Sequence, residues 1–442
     1  MPNQNIETVT ITDFSSAGLG VGRRASGQVA MIACAVPGDK VEVNFEFAKS
    51  KGIAFGKLIS VVSPSEDRTA HPCKHYSEGC KGSLLGAYDY QKGLIWKRDN
   101  LKNTLERIGK IESPDVRDVH PSPLEWTYRD RLEFQLQMKQ GKIQIGFTGD
   151  EGIIPVRSCS LGVKSIQDAL QKMWNAFPII KSGAKKDFRI LLRDNGLGKP
   201  VAVLFVEPES TDNYKIISQL FENSDLAGWE IRQVDDLNFR FFSSQLIERV
   251  GETSIYVNIG RDSMELPLLS FTQTNPSASE SLRKLVVDLI PDGQNLLDLY
   301  GGYGAFALQY VTLKSGKALV LETSHQMVKA GRKFANNTKL PIRYLRSDLN
   351  YPVNINKSHG QFDSAILDPP RDGLHREVIK YLNGDGPNQL IYVSCHTAAL
   401  ARDLKELKSY TPEYFIPVDM FANTSKLETI ALLRRSVVMS RI

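Results

Sequence analysis

Cysteine is scarce in this chain. Five thiols, Cys34, Cys73, Cys80, Cys159 and Cys395, are spread over 442 residues. That excludes the dense disulfide framework of a small secreted scaffold. In a reducing compartment such thiols serve as metal ligands, nucleophiles or core residues. No uninterrupted apolar stretch reaches the ~20 residues that a membrane-spanning helix needs. The opening MPNQNIETVT lacks the charged-then-apolar pattern of a signal peptide. A cytoplasmic location and no membrane partner are therefore the expectations. Two phosphate-binding signatures are missing as well. The glycine run at 301–304 is Gly-Gly-x-Gly and not GxGxxG, and no Walker-type lysine follows a glycine loop. Both absences argue against a nicotinamide dinucleotide or a nucleoside triphosphate.

The chain is too long for one ordinary core, so two or three domains are expected. Hydrophobic residues make up 41% and charged residues 24%, the balance of a globular protein. A net charge of +5 permits an anionic partner without requiring one. Residues 1–62 read as short strands separated by glycine-rich turns, which predicts a small closed barrel. Within it, Ala17-Gly-Leu-Gly-Val-Gly-Arg-Arg24 offers either a nucleic-acid-binding rim or a barrel corner that needs glycine. Residues 63–262 mix strands and helices and contain the loop from His71 to Ser83 with Cys73 and Cys80. Residues 263–442 alternate strand and helix, the pattern of a doubly wound sheet.

Three strand ends in that last segment carry chemistry. Asn295-Leu-Leu-Asp-Leu-Tyr300 runs into Gly301-Gly-Tyr-Gly304, where glycine lets the backbone approach a ligand. The next strand ends in Glu322, placed to accept ribose hydroxyls. A nucleoside cofactor without phosphate, S-adenosylmethionine, fits these features best. Ser364-Ala-Ile-Leu-Asp368 breaks into Pro369-Pro370-Arg371, and the proline pair restricts Asp368. Leu390-Ile-Tyr-Val-Ser-Cys395 delivers a thiol to a helix N-terminus, whose dipole favours thiolate. A lone cysteine is more often core, and a lone glutamate such as Glu428 is more often an exposed strand-end acid.

These residues together resemble the RNA 5-methyluridine (uracil-C5) methyltransferase family over nearly the whole chain. The carriers are Asp368-Pro-Pro-Arg371, Tyr392-Val-Ser-Cys395, Asp419-Met-Phe421 with Glu428-Thr429, and Phe271-Thr-Gln-Thr-Asn275. The resemblance implies a multidomain α/β protein. It would have an N-terminal OB-like β-barrel of TRAM type for RNA, a mixed α/β centre and a Rossmann-like class I methyltransferase sheet. It makes Cys395 the nucleophile and Glu428 the base. Gln273, Tyr300, Glu322, Asp348 and Asp368 would contact S-adenosylmethionine or shape the space between it and uridine. Ala305 stands on the cofactor side where a polar residue is frequent, Gly301 where cysteine is, and Lys426 where histidine is. Residues 88–112 would pack with the catalytic domain. The resemblance also implies a [4Fe–4S] cluster on Cys73, Cys80 and Cys159. Six residues separate the first two where the family has five, and Ser83 stands at a third thiolate's place. The fourth ligand stays open between Ser83, His75 and a small molecule.

The implied partner is RNA, and the chain is expected to be a monomer. The barrel leans towards large-subunit (23S) ribosomal RNA over transfer RNA. Two other readings are 5-methylcytosine chemistry, carried by a different cysteine pattern, and a non-catalytic RNA-binding or folding factor on the same scaffold.

Overall fold

Alternation of apolar and polar residues builds the N-terminal barrel. Its strands are β1 (Ile6–Phe14), β2 (Gly20–Arg23), β3 (Val29–Ile32), β4 (Lys40–Asn44) and β5 (Ile53–Ser63), closed in the order β1-β2-β3-β5-β4. Val9, Ile11, Ala30, Ile32, Val41, Val43 and Ala54 point inward and fill it. The computed structural model describes residues 6–45, 52–139, 142–149, 152–176, 188–208, 214–237, 244–353 and 360–436. No helix among them is long and apolar enough to cross a membrane. The glycines of β2 are required by close approach, because a Cβ at Gly22 would lie 2.5 Å from the Thr10 carbonyl oxygen.

One end of the barrel is packed against the rest of the chain. Phe14, Val36, Tyr76, Leu84, Leu85 and Ala87 form a buried cluster there. Phe14 meets the rings of Tyr88 and Trp96 edge-on at 5.3 and 5.5 Å. Asp39, fully buried, pairs with Arg68 at 2.8 Å.

Helix α1 (Tyr90–Thr104) is capped by Asp89, which accepts the Lys92 N–H, and widens into a π-turn over Leu105–Gly109. Leu94, Leu101 and Leu105 enter a core shared with the last sheet. The middle of the chain folds as β6 (Arg131–Lys139), β7 (Lys142–Gly149), β8 (Gly152–Pro155), α2 (Lys164–Ala176), β9 (Phe188–Asp194), β10 (Pro200–Val206), α3 (Tyr214–Glu222), β11 (Gly228–Gln233) and β12 (Gln245–Gly251). These seven strands form one sheet in the order β12-β11-β10-β9-β6-β7-β8. A hairpin, β13 (Ile255–Ile259) with β14 (Asp262–Leu266), leads to the final unit.

That unit runs α4 (Pro276–Asp288), β15 (Asn295–Leu299), α5 (Ala305–Leu313), β16 (Lys317–Glu322), α6 (His325–Thr338), β17 (Ile342–Arg346), β18 (Ser364–Leu367), α7 (Arg376–Asp385), β19 (Gln389–Ser394), α8 (Thr397–Glu406), β20 (Tyr410–Val418) and β21 (Glu428–Arg435). Its sheet is ordered β17-β16-β15-β18-β19-β21-β20. The first five strands are parallel, and β21 is antiparallel to both neighbours. Strands β18 and β19 are buried along their whole length, as parallel strands covered on both faces must be. The strand order reverses between β15 and β18, and ligands gather at such a switch point beyond the carboxyl ends. The barrel, the mixed middle and the doubly wound sheet are the architecture expected from the sequence.

Candidate active site

The glycine turn is set by backbone conformation. Tyr300, Gly302 and Gly304 all have positive φ (62°, 58° and 88°), which carries the chain sharply from β15 onto α5. A Cβ on Gly304 would lie 2.5 Å from the Tyr344 hydroxyl. Glu322, at the end of β16, holds the turn: its Oε2 accepts the Gly302 N–H at 3.0 Å and its Oε1 the Ser324 N–H at 2.7 Å. Beneath the turn lies Asp298, fully buried, with neither carboxyl oxygen hydrogen-bonded among the described residues. Burial, and then the charge of Asp368, push its pKa to about 8. Asp368 itself is pushed up to about 7 by burial.

The thiol and the acid are brought together by strand register. Ser394 of β19 pairs with Thr429 of β21. The next residue on each side is Cys395 and Glu428, so the two flank one another at the end of the ladder. Cys395 is half-buried and its thiol is pushed up to about 11. Burial is the larger cause, followed by the charges of Glu428 and Asp368, while Arg371 opposes by charge and by a hydrogen bond to sulfur. Glu428 is 2% exposed, and its Oε2 has no partner among the described residues. Burial, then Asp368, hold this carboxyl well above the usual range against the pull of Arg371. The dipole of α8 was expected to favour thiolate. In the resting site, burial and two neighbouring acids outweigh it, and the cation that offsets them is Arg371.

The remaining candidates lie around this centre. Tyr300 is half-buried, its hydroxyl accepts the His375 N–H at 3.3 Å, and it feels the charge of Asp348. Asp348 is exposed beyond β17 and accepts the Asn350 N–H at 3.0 Å. Gln273 is half-buried on the segment leading to α4, and Ala305 is the first residue of α5. Lys426 is exposed; its amine is pushed down by burial of its stem and by the charges of Arg371 and Arg129. Arg371 and Asp298 fall within the sequence motifs, but no role for either follows from the sequence reading. The signal for Arg371 was its place just after a rigid proline pair.

Cys73, Cys80 and Cys159 line a cavity of about 270 Å³ with His75, Ser83 and Arg129, together with Leu132 and Phe147 of the central sheet. Cys73 Sγ lies 3.4 Å from His75 Nδ1, and the Ser83 hydroxyl 3.1 Å from His71 Nε2. Among the described residues no three Cys, His, Asp or Glu side chains are close enough to hold a metal ion. A four-iron cluster takes four thiolates as a rule. Three thiols and a serine already engaged by His71 do not make that set, so the residues present do not fit the cluster.

A doubly wound sheet that gathers a glycine turn, buried acids and a thiol at one edge is the scaffold of a group-transfer enzyme with a nucleoside cofactor. Residues 260–436 match the sequence model of the tRNA (Uracil-5-)-methyltransferase family, and residues 5–59 that of the TRAM domain. The C-terminal domain is thus similar to this RNA (uracil-5-)methyltransferase family, and the barrel to the TRAM domain. An uncharacterized RNA methyltransferase of Thermotoga maritima is 27% identical over 449 residues, covering 97% of this chain and 99% of the relative. One from Gloeobacter violaceus is 28% identical over 452 residues, covering 97% and 96%. The crystal structure of Pyrococcus abyssi tRNA (uracil-54, C5)-methyltransferase in complex with S-adenosyl-L-homocysteine shares the fold. Its TM-score is 0.74 at 21% identity, covering 96% of this chain and 99% of that one.

Proposed function

We propose that this protein methylates carbon 5 of a uridine in RNA through a covalent adduct on Cys395. The observation that carries the reading is that Cys395 and Glu428 each adjoin the last pair of one β-ladder, Ser394 with Thr429, with Arg371 and Asp368 beside them. Carbon 5 of uracil is too weak a nucleophile to attack a methyl sulfonium unaided. The Cys395 thiol gives its proton to solvent, and the thiolate, stabilised by Arg371 against the nearby acids, adds to carbon 6. The ring becomes an enolate whose carbon 5 takes the methyl group as the methyl–sulfonium bond breaks, the sulfur leaving as a neutral thioether. Glu428 then removes the carbon 5 proton, the carbon–sulfur bond breaks, and the thiolate leaves with the ring double bond restored.

S-adenosylmethionine supplies the electrophilic methyl when bound. The buried, unpartnered Asp298 and the glycine turn supported by Glu322 suit a cationic nucleoside. Glu322 uses two acceptor sites on the turn and keeps two for ribose hydroxyls. Tyr300, Asp348, Asp368, Gln273 and the Ala305 backbone complete the proposed binding set.

The RNA-binding barrel supports a large folded RNA as substrate, with ribosomal RNA as the assigned class. Transfer RNA is the second reading, favoured by the substrate in the name of the Pyrococcus abyssi enzyme that shares the fold. Methyl transfer to purified ribosomal and transfer RNA, followed by mass mapping of 5-methyluridine, separates them. Cys395→Ala should bind both S-adenosylhomocysteine and RNA and transfer no methyl group. Turnover by that variant would falsify the covalent mechanism.

A further inference from the structure

Lys97 is the one buried lysine among the described residues, 3% exposed on α1. Its ammonium lies 2.5 Å from Asp419 Oδ1 and 3.2 Å from the Phe421 carbonyl oxygen. Tyr90, two turns earlier on the same helix, donates its hydroxyl to Asp419 Oδ2 at 2.8 Å and accepts the Ser122 N–H at 3.0 Å. Asn275 donates to the Ser122 hydroxyl at 3.0 Å and to the Met420 carbonyl at 3.1 Å. The same asparagine caps α4 by accepting the Ala278 N–H at 3.2 Å. The network thus ties α1 and the start of α4 to the segment between β20 and β21.

That segment ends at Glu428. Four of its successive carbonyls, from Met420 to Asn423, are held from outside. Asn275 holds Met420 and Lys97 holds Phe421. Tyr128 holds Ala422 at 2.9 Å, and the Leu85 N–H holds Asn423 at 3.1 Å. A buried ion pair is a poor source of stability, because desolvation offsets most of the attraction and apolar residues of similar volume serve as well or better. Burial pushes the Lys97 amine down while Asp419 pulls it up. What the pair supplies beyond packing is direction: two charged groups with fixed hydrogen-bond geometry where hydrophobic contact would leave the segment free to slide.

We propose that Lys97 is a positioning residue for the reaction: through Asp419 and the Phe421 carbonyl it fixes the segment that aims Glu428 at the carbon 5 proton. The inference rests on the reading of Glu428 as base. It predicts a defect confined to one step. In Lys97→Met and in Lys97→Met/Asp419→Asn, which leaves no unpaired charge, turnover should fall about 10- to 100-fold, the scale set by misplacing a catalytic group by about 1 Å. Affinity for S-adenosylhomocysteine and for RNA should stay near wild type. The covalent protein–RNA adduct should accumulate on denaturing gels, and the isotope effect with 5-deuterated uridine should rise, because proton removal has become slow.

Thermal melts verify folding. Where the single variant does not fold, the double variant and Tyr90→Phe, which keeps the ion pair and removes one hydroxyl, carry the same test with a smaller effect. A folded double variant with wild-type turnover overturns the proposal. So does lost turnover with neither adduct nor isotope effect, which would place Lys97 at an earlier step. Glu428→Gln, run in parallel, should stall as adduct. Wild-type turnover by that control overturns the base assignment itself, and the role of Lys97 with it.

Discussion

Asp298 sits without a hydrogen-bond partner among the described residues, under the backbone that is proposed to bind the cofactor. Its carboxyl is favoured neutral in the folded chain, with its pKa raised from 3.8 to about 8. A raised acid contributes stability that is full below its ordinary value and is lost as pH rises through the folded value. Unliganded protein should therefore lose stability progressively between pH about 4 and about 8. Asp298→Asn should flatten that loss, so that its Tm advantage over wild type grows with pH. Equal slopes for the two proteins would show that the carboxyl is solvated. Arg371 makes a second residue-scale prediction. It opposes the acids that push Cys395 up, so Arg371→Met should move the ascending limb of the pH–rate profile to higher pH, and Arg371→Lys should move it less. An unshifted limb would mean that another group sets it. Cys395 and Asp368 were legible in the sequence because each stands at the end of a short apolar run. The roles of Arg371 and Lys97 were not, since both depend on which distant residue the fold sets against them. Glu428 was legible as a strand-start acid, but its neighbour across the ladder is a matter of register.

At the scale of elements, the barrel is more than an RNA-binding appendage. Its Ser15–Leu19 turn reaches the segment that ends at Glu428: a Cβ on Gly18 would lie 3.3 Å from Ser425 Cβ and 3.0 Å from Leu85 Cδ1. Trp96 of α1 donates to Asp13 at 2.8 Å and packs on Phe14. Phe14→Ala should cost about 3–5 kcal/mol of the packing that joins barrel and body, as for other buried phenylalanines. Thermal melting and limited proteolysis across residues 63–70 would read it, and an unchanged proteolytic pattern would mean that the contact is incidental. Deleting residues 1–62 would also expose the cluster around Leu84 and Leu85, so the activity of the shortened chain would report more than RNA affinity. The strand runs of the barrel and the parallel sheet were legible from alternation and from buried apolar runs. Strand β2 was not, because Gly20-Val-Gly-Arg23 has the composition of a turn, and its glycines are there for close backbone approach.

Taken whole, the molecule keeps the cysteine-lined cavity apart from the Cys395 site. The cysteine-lined cavity lies between the loop from Cys73 to Ser83 and the central sheet, and none of Cys395, Glu428 and Asp368 lines it. Its donors are one thiolate short, so protein purified without oxygen should lack the broad visible absorbance and bound sulfide of a four-iron cluster. Ser83→Cys, which supplies a fourth thiol on the cavity wall, should gain both. A wild-type preparation that is already brown would show that the site recruits a ligand other than thiolate.

The pairing of Lys97 with Asp419 also has a consequence for biosynthesis. The two residues are 322 positions apart in the chain. At about 5–20 residues added per second, helix α1 emerges on the order of tens of seconds before its partner exists. The nascent chain therefore cannot finish its last domain from the last domain's residues alone. A fragment beginning at residue 263 should emerge with Asp419 unanswered and should need a segment containing α1, supplied on a second polypeptide, before it becomes soluble and folded.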